Sequence, residues 1–116
     1  ATTAVDNSRD AILEATTELL ELLISANEID TDQLACAIFT TTLDLNADFP
    51  AVAARRLGWE YVPLLDSHEM DVPGAQPRCI RVLLMINTEK TPQEMVHVYL
   101  REARNLRARA TDNDPS

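Results

Sequence analysis

The chain has 116 residues, of which 46% are hydrophobic and 25% are charged, so we expect one globular domain and not a disordered chain. Its formal net charge of −9 at pH 7 argues against nucleic acid or an anionic membrane surface as a partner. No apolar stretch is long enough to span a membrane, and no signal peptide is visible.

The cysteines and the arginines are the informative parts of this composition. Cys36 and Cys79 lie in apolar runs without CxxC spacing, which is typical of reduced thiols in a cytoplasmic protein. Nine arginines accompany a single lysine, Lys90. Arginine grips a carboxylate with two parallel hydrogen bonds, so the ratio fits anion binding, but a genome bias toward arginine explains it equally well.

Capping signals and apolar periodicity define the first third of the chain. Asn7 and Ser8 can cap a helix that runs to about Ala26, and Asn27 is a suitable end. Residues 34–42 then have the pattern of a strand.

A short helix and a second strand are expected next. Asp48 followed by Pro50 predicts the start of the helix, and Gly58 predicts its end. Residues 59–65 have the composition of a strand, which Pro63 places at an edge or a bend.

The remaining elements follow a polar, turn-rich segment at residues 66–78. Residues 79–86 form an apolar strand, and Thr91-Pro92-Gln93-Glu94 combines a capping box with proline at the first helical position, which predicts a final helix. We expect the apolar face of that helix to carry Met95, Tyr99, Ala103 and Leu106. We expect the domain to comprise residues 1–109, with a disordered tail at residues 110–116.

The element order α–β–α–β–β–α predicts the fold class. It indicates a single α/β (α+β) domain with a mixed sheet whose helices cover one face.

Arg81 is the only charged residue in the apolar run from Cys79 to Ile86. The run has the pattern of a strand buried on both faces, where a guanidinium needs an anionic partner. Glu69 is the internal candidate, and a buried pair of the two would serve only the fold. The alternative is that a bound ligand supplies the anion.

Motifs for covalent, metal or phosphate chemistry are absent from the sequence. His68 and His97 have no partner at metal-ligand spacing, and no serine or cysteine lies in a nucleophile motif. We therefore expect neither a cofactor nor a metal. The remaining groups suit non-covalent binding of an organic anion: Arg55, Glu69, Arg81, Tyr99 and the arginines of the last helix.

Seven stretches stand out when the chain is taken as a whole. They are Ala1-Thr2-Thr3, Asp48-Phe49-Pro50-Ala51 with Ala54-Arg55, Gly58-Trp59-Glu60-Tyr61-Val62-Pro63, His68-Glu69-Met70-Asp71-Val72, Cys79-Ile80-Arg81-Val82, Thr91-Pro92-Gln93 and His97-Val98-Tyr99-Leu100-Arg101. In this order and at nearly this spacing, they resemble the monofunctional trimeric chorismate mutases over nearly the whole chain.

The resemblance implies an activity and an assembly. The activity is an isomerase reaction, the Claisen-type rearrangement of chorismate to prephenate in phenylalanine and tyrosine biosynthesis. The assembly is a homotrimer whose sheets form a pseudo-α/β-barrel, with active sites in the clefts between subunits. The implied partner is the small dianion chorismate, with no nucleic acid and no membrane.

The resemblance also implies roles for individual residues. Arg81 matches the arginine at the breaking ether oxygen, and Glu69 matches the carboxylate that binds the ring hydroxyl. Tyr99 matches a tyrosine that contacts a substrate carboxylate, while Phe49 and Arg55 match residues that close the cleft from the neighbouring subunit. The other expected substrate contacts are Leu65, Asp66, Ser67, His68 and Leu106.

The chain departs from the family pattern in three places. Members usually begin with a short strand that ends in Arg-Gly, and its substrate-binding arginine would lie before Ala1. We therefore expect slower turnover from a chain that starts at Ala1 than from one extended by that strand. Val52 stands where some members have a lysine, and Asp66 stands where some have a cysteine.

Two other functions stay open at this point. One is a non-catalytic trimeric module that binds an organic or aromatic acid in the same cleft between subunits. The other is imine hydrolysis, which rests only on analogy with related trimeric sheet folds. Conversion of chorismate to prephenate would identify the mutase, and binding without turnover would identify the module.

Overall fold

The computed structural model describes residues 1–106, so the predicted tail at residues 110–116 lies outside the described residues. In chain order the strands and helices are β1 (Thr2–Thr3), α1 (Arg9–Ala26), β2 (Leu34–Thr41), α2 (Ala51–Arg56), β3 (Leu64–His68) and β4 (Cys79–Ile86). Short 3₁₀ turns lie at Thr31–Gln33, Pro92–Glu94 and Arg101–Arg104. Within the described residues, no helix is both long and apolar enough to cross a bilayer.

Within residues 1–106, four strands form one mixed sheet in the order β1-β4-β2-β3. Strand β4 is antiparallel to both of its neighbours, β1 and β2, whereas β2 and β3 are parallel. The register places Thr40 of β2 opposite Arg81 of β4 and next to Ser67 of β3. The expected mixed sheet of an α+β domain is confirmed.

Helix α1 has the predicted limits because both of its ends are satisfied locally. The Ser8 hydroxyl accepts a hydrogen bond from the Ala11 N–H at 3.1 Å, as an N-cap does. Asn27 is the residue at the C-cap. The predicted helix start and end are therefore confirmed.

The two helices pack on one face of the sheet, as the sequence predicts. Phe39 at the middle of β2 is fully buried there, and burial of a side chain of this size contributes about 1.5–3 kcal/mol. The core between helices and sheet is formed by Leu13, Leu20, Leu34, Ala37, Phe39, Ala51, Ala53, Ala54, Trp59 and Val62. This layer holds β2 in place and, through β2, the paired strand β4.

The opposite sheet face, which we call the open face, carries apolar side chains that no described residue covers. Leu65 is 59% exposed, Leu83 58% and Met85 52%. In β4 only Cys79 and Ile80 are buried, and exposure then alternates along the strand. The predicted burial of this strand on both faces is therefore wrong for the single chain, because helices cover only one face.

The second predicted strand, residues 59–65, is displaced along the chain. Strand β3 begins only at Leu64, directly after Pro63, and continues to His68. Pro63 has no N–H to donate to a ladder, but its carbonyl accepts from the Ala37 N–H at 3.0 Å. The residues before it form a loop that contributes Trp59 to the core.

The predicted final helix is wrong within the described residues. The capping box of Thr91 and Glu94 closes only one 3₁₀ turn, and Met95 already has extended backbone. The following segment instead lies beside the start of the chain, where the Leu100 N–H donates to the Ala1 carbonyl at 2.9 Å. Its β-branched and aromatic side chains favour such extended backbone over a helix.

Candidate functional site

Glu69 and Arg81 form an ion pair at the polar end of the open face. Arg81 Nη1 lies 3.2 Å from Glu69 Oε1, and the Thr40 hydroxyl donates to the other oxygen, Oε2. The Glu69 N–H donates to the Thr41 carbonyl at 2.8 Å, just beyond the end of β3. The carboxylate is therefore held at both oxygens and at its backbone.

Arg81 can be interpreted either as part of a buried structural pair or as a group that binds an anionic ligand, and its exposure decides between the two. The side chain of Arg81 is 60% exposed and that of Glu69 is 23% exposed. An exposed pair of this kind contributes only about 0–1 kcal/mol to folding. The hypothesis of a buried pair that serves only the fold is therefore wrong for the single chain, and the guanidinium is accessible to an anionic ligand.

A small cavity of about 100 Å³ lies beside Arg81. Tyr99 lines this cavity, and the other lining residues are Ala1, Leu23, Val82, His97 and Val98. Pockets that enclose a small molecule usually measure roughly 300 Å³ or more. One chain therefore provides only part of a ligand pocket here.

The predicted lining segment is divided between the two sheet faces because side chains alternate along β3. Leu65 pairs in register with Ile38, and Ser67 pairs with Thr40, which itself lies opposite Arg81. Leu65 and Ser67 therefore share the open face with Arg81.

Asp66 and His68 point to the face that the helices cover. Asp66 Oδ1 accepts from the Ala51 N–H at 3.1 Å, at the start of α2, and His68 Nδ1 lies 3.2 Å from the Thr41 hydroxyl. Burial raises the pKa of the Asp66 carboxyl above its usual value. Asp66 therefore connects β3 to α2, at a cost in desolvation.

Phe49 and Arg55 lie around α2 and do not line the cavity beside Arg81. Phe49 is exposed. The Arg55 guanidinium donates to the carbonyls of Trp59 and Glu60, the second at 3.1 Å, and so closes the turn after α2. A single chain does not bring these two residues to Arg81. Leu106 is partly buried and is the last described residue.

Thr40 is the site residue that sequence analysis missed. It lies in a run of three threonines, Thr40 to Thr42, and nothing in their order distinguishes one from another. The signal is the strand register, which puts Thr40 opposite Arg81 and so selects it. A register of this kind follows from tertiary packing and is not readable from β2 alone.

Residues 1–106 provide neither a cluster of metal ligands nor an activated thiol. No three His, Cys, Asp or Glu side chains in this part of the chain are grouped so that they could hold a metal ion. Burial raises the pKa of the Cys79 thiol, so its thiolate is disfavoured. The groups that remain act through charge and hydrogen bonds.

Comparisons with known proteins agree over nearly the whole length. The family model described as "Chorismate mutase type I" matches residues 1–110. Chorismate mutase AroH of Thermus thermophilus is 51% identical over 109 residues, which cover 92% of this chain and 88% of that protein. Chorismate mutase AroH of Bacillus subtilis is 39% identical over 108 residues, with 92% and 85% covered.

A solved structure gives the same result for the fold. The chorismate mutase from Clostridium thermocellum superimposes with a TM-score of 0.86 at 43% sequence identity. The match covers 88% of this chain and 91% of that one.

Proposed function

The chain belongs to the type I chorismate mutase family and is a chorismate mutase, and from this premise we propose which residues carry the reaction. We propose that Arg81 stabilises the transition state, that Glu69 and Tyr99 orient the substrate, and that neighbouring copies of the chain complete the cleft. The relatives described above are all chorismate mutases, and none of them is a non-catalytic module or an imine hydrolase.

The rearrangement of chorismate to prephenate makes one C–C bond and breaks one C–O bond within a single molecule. It needs no nucleophile and no proton transfer, so the protein contributes by selecting a compact conformer and by electrostatics. Orientation of reacting groups can lower a barrier by several kcal/mol, up to roughly 7–11 kcal/mol in the best intramolecular cases.

The observation that carries the proposal is the accessible guanidinium of Arg81, fixed beside Glu69. As the C–O bond lengthens, negative charge gathers on the ether oxygen, and a fixed cation there binds the transition state more tightly than the substrate. A guanidinium has five N–H donors, and the contact with Glu69 is made through Nη1. Donors of Arg81 are therefore available for the ether oxygen.

Glu69 is suited to accept a hydrogen bond from the ring hydroxyl of the substrate. Its two oxygens already contact Thr40 and Arg81, and each carboxylate oxygen has a second lone pair. Because the carboxylate is held on both sides, it need not be ordered when the substrate binds, which reduces the entropic cost of binding.

Tyr99 is the proposed contact of a substrate carboxylate, since it lines the cavity next to Arg81. Leu65 and Ser67 share the open face with Arg81 and would form the floor of the cleft. Asp66, His68 and Leu106 are proposed as more distant substrate contacts. The cation of Arg81 acts against the net charge of −9, which repels a dianion at long range.

A homotrimer is the assembly that we propose, with the open face turned toward the neighbouring copies. Leu65, Leu83 and Met85 form an exposed apolar surface on the sheet, and contiguous patches of this kind mark interaction sites. The cavity beside Arg81 is too small to enclose chorismate, which supports completion by a second copy. Phe49 and Arg55 are the residues that a neighbour would contribute.

A cytoplasmic location is part of the proposal and is supported by the cysteines. Cys36 and Cys79 are both free thiols, which is usual in a reducing compartment.

The experiment that tests the site is substitution of Arg81, followed through the absorbance of chorismate and the prephenate formed. Arg81→Ala should lower kcat by roughly 10²–10³, the scale for removal of one transition-state donor. Arg81→Lys should recover little, because an ammonium lacks the planar fork.

The matched control is Arg56→Ala, which removes one exposed positive charge from α2 without touching the proposed cleft. It separates a specific role of Arg81 from a change in net charge, and it should leave turnover at the wild-type value. A folded Arg81→Ala protein with undiminished prephenate formation would show that the assignment is mistaken.

A further inference from the structure

The segment that carries Tyr99 is fixed to helix α1 at two points. We name residues 96–101 the strap; it connects the 3₁₀ turn Pro92–Glu94 to the turn Arg101–Arg104. We propose that Asn27 and Arg101 are positioning residues that hold Tyr99 toward the substrate. The inference rests on the role of Tyr99 proposed above and extends it to residues that do not touch the substrate.

The first fixed point is the side-chain amide of Asn27, at the C-cap of α1. Its Oδ1 accepts from the Val96 N–H at 2.7 Å, and its Nδ2 donates to the Val96 carbonyl at 2.9 Å. The same Nδ2 donates to the Leu23 carbonyl at 2.9 Å, in the last turn of the helix. The amide therefore binds both backbone groups of Val96 and attaches them to the helix end.

The second fixed point is the Arg101 guanidinium on the outer face of α1. Its Nε lies 3.4 Å from Glu18 Oε1, and its Nη2 lies 4.0 Å from Glu14 Oε1. Arg101 has a φ of +52°, a left-handed conformation that is unfavourable for a residue with a Cβ. The ion pairs connect the end of the strap to the helix.

The strap is long enough to join the two points along α1. Glu18 and Asn27 are separated by about 14 Å along an α-helix that rises 1.5 Å per residue. Five residue steps of fully extended chain, from Val96 to Arg101, reach about 17 Å. The backbone of the strap also binds Ala1. The Ala1 carbonyl accepts from the Leu100 N–H at 2.9 Å, and the Ala1 nitrogen donates to the Val98 carbonyl at 2.8 Å.

Tyr99 lies between the two fixed points, and a segment that is attached on both sides of Tyr99 restricts where its side chain can go. A group that is ordered before the substrate binds loses less entropy on binding. The two attachments should therefore be felt in substrate affinity, because Tyr99 is proposed to contact a carboxylate that is present in substrate and transition state alike.

A double-mutant cycle tests whether the attachments act through Tyr99. Asn27→Ala and Arg101→Gly are each combined with Tyr99→Phe, and kcat and KM for chorismate are measured on assembled protein. Glycine at position 101 adopts the left-handed backbone without strain and removes the side chain with its guanidinium. Each single variant should raise KM roughly 10-fold with a smaller change in kcat, and in the Tyr99→Phe background the further rise should be under about 2-fold.

Asn27→Asp keeps the acceptor for the Val96 N–H but replaces the donor by a carboxylate oxygen that the Leu23 and Val96 carbonyls repel at the C-terminal end of α1. Its KM should be at least as high as that of Asn27→Ala. The matched control is Asn7→Ala, because Asn7 Oδ1 accepts from the Asn46 and Ala47 N–H groups at 3.0 Å each, at the other end of α1. Any factor by which Asn7→Ala changes KM should be the same in the Tyr99→Phe background as in the wild type.

The inference is overturned if Asn27→Ala and Arg101→Gly keep the wild-type KM. It is also overturned if they raise KM by the same factor in the Tyr99→Phe background as in the wild type. The outcome for Arg81→Ala separates this result from failure of the site itself. If Arg81→Ala is impaired while the strap variants are unaffected, only the positioning role is wrong. If Arg81→Ala also keeps full turnover, the proposed site is wrong.

Discussion

Thr40 lies directly opposite Arg81 in the antiparallel pairing of β2 with β4. The two side chains emerge on the same sheet face and both donate hydrogen bonds to one carboxylate, that of Glu69. The position of the carboxylate is therefore set by the register of two strands that the core beneath them fixes. A register error of one residue would turn Thr40 to the other face and remove one of the donors.

The first prediction concerns the hydrogen bond that the Thr40 hydroxyl donates to Glu69. Thr40→Val should lower kcat/KM for chorismate roughly 10- to 150-fold, because a hydrogen bond to a charged group contributes about 1.5–3 kcal/mol. Steady-state kinetics measure this loss. Thr17→Val, the same substitution on α1, should leave kcat/KM at the wild-type value. Equal kinetics for the two variants would contradict a role of Thr40 in holding Glu69.

The second prediction concerns the folding contribution of the Glu69–Arg81 pair. Because Arg81 is mostly exposed, Arg81→Ala should lower the free energy of unfolding by no more than about 1 kcal/mol. Urea unfolding, followed by circular dichroism, measures the difference. A loss of about 3–5 kcal/mol would instead indicate that the pair is buried in the assembled protein and serves the fold.

The third prediction is a pH dependence at Asp66. Burial raises its pKa in the folded state, so the folded protein binds a proton more readily than the unfolded chain does. Stability therefore rises as the pH falls through the folded-state pKa of Asp66. Asp66→Asn should raise the Tm at pH 7, and its advantage should shrink as the pH falls toward the usual pKa of an aspartate.

Asp48→Asn is the control for Asp66→Asn, because the pKa of the Asp48 carboxyl is shifted in the opposite direction. The Phe49 N–H and Arg9 lower the pKa of the Asp48 carboxyl, so its charged form stabilises the fold at neutral pH. This contribution is lost as the pH falls below the usual aspartate value. Asp48→Asn should therefore lower the Tm at pH 7, with an effect that fades in acid. A pH-independent Tm difference for Asp66→Asn would contradict the role of burial.

The fourth prediction concerns assembly. Light scattering of the wild type at micromolar concentration should give three times the chain mass of 12.9 kDa. Leu83→Glu places a charge on the open face and should give a monomer, because burial of an unpaired carboxylate in an apolar interface is unfavourable. Leu22→Glu, at an exposed apolar residue of α1 on the other side of the sheet, should stay assembled. A monomeric wild type would contradict the trimer.

The sequence predicted those elements whose signals are local. The hydroxyl of Ser8 caps α1 as expected, and β4 occupies the predicted residues 79–86. Glu69 was the internal candidate for the partner of Arg81, and the two side chains form an ion pair, although an exposed guanidinium does not require one. In each case the residues that form the feature also provide the sequence signal for it.

The errors arose where distant parts of the chain decide the local structure. The spacing of Met95, Tyr99 and Ala103 is that of a helix, but hydrogen bonds to Ala1 and Asn27 hold most of this segment extended. The exposure of Arg81 was missed for a related reason, since an apolar strand on an open sheet face has the same sequence as one covered on both sides.

Strand β4 lies between β1 and β2, although it is the last of these strands to be synthesised. On the ribosome, Thr2 has no strand partner until Ile80 has emerged, and until then β2 can pair only with β3. At about 5–20 residues per second, the earlier strands are without this neighbour for seconds. Nascent chains that end before Cys79 therefore lack the strand that joins β1 to β2, and we expect them to be protease-sensitive.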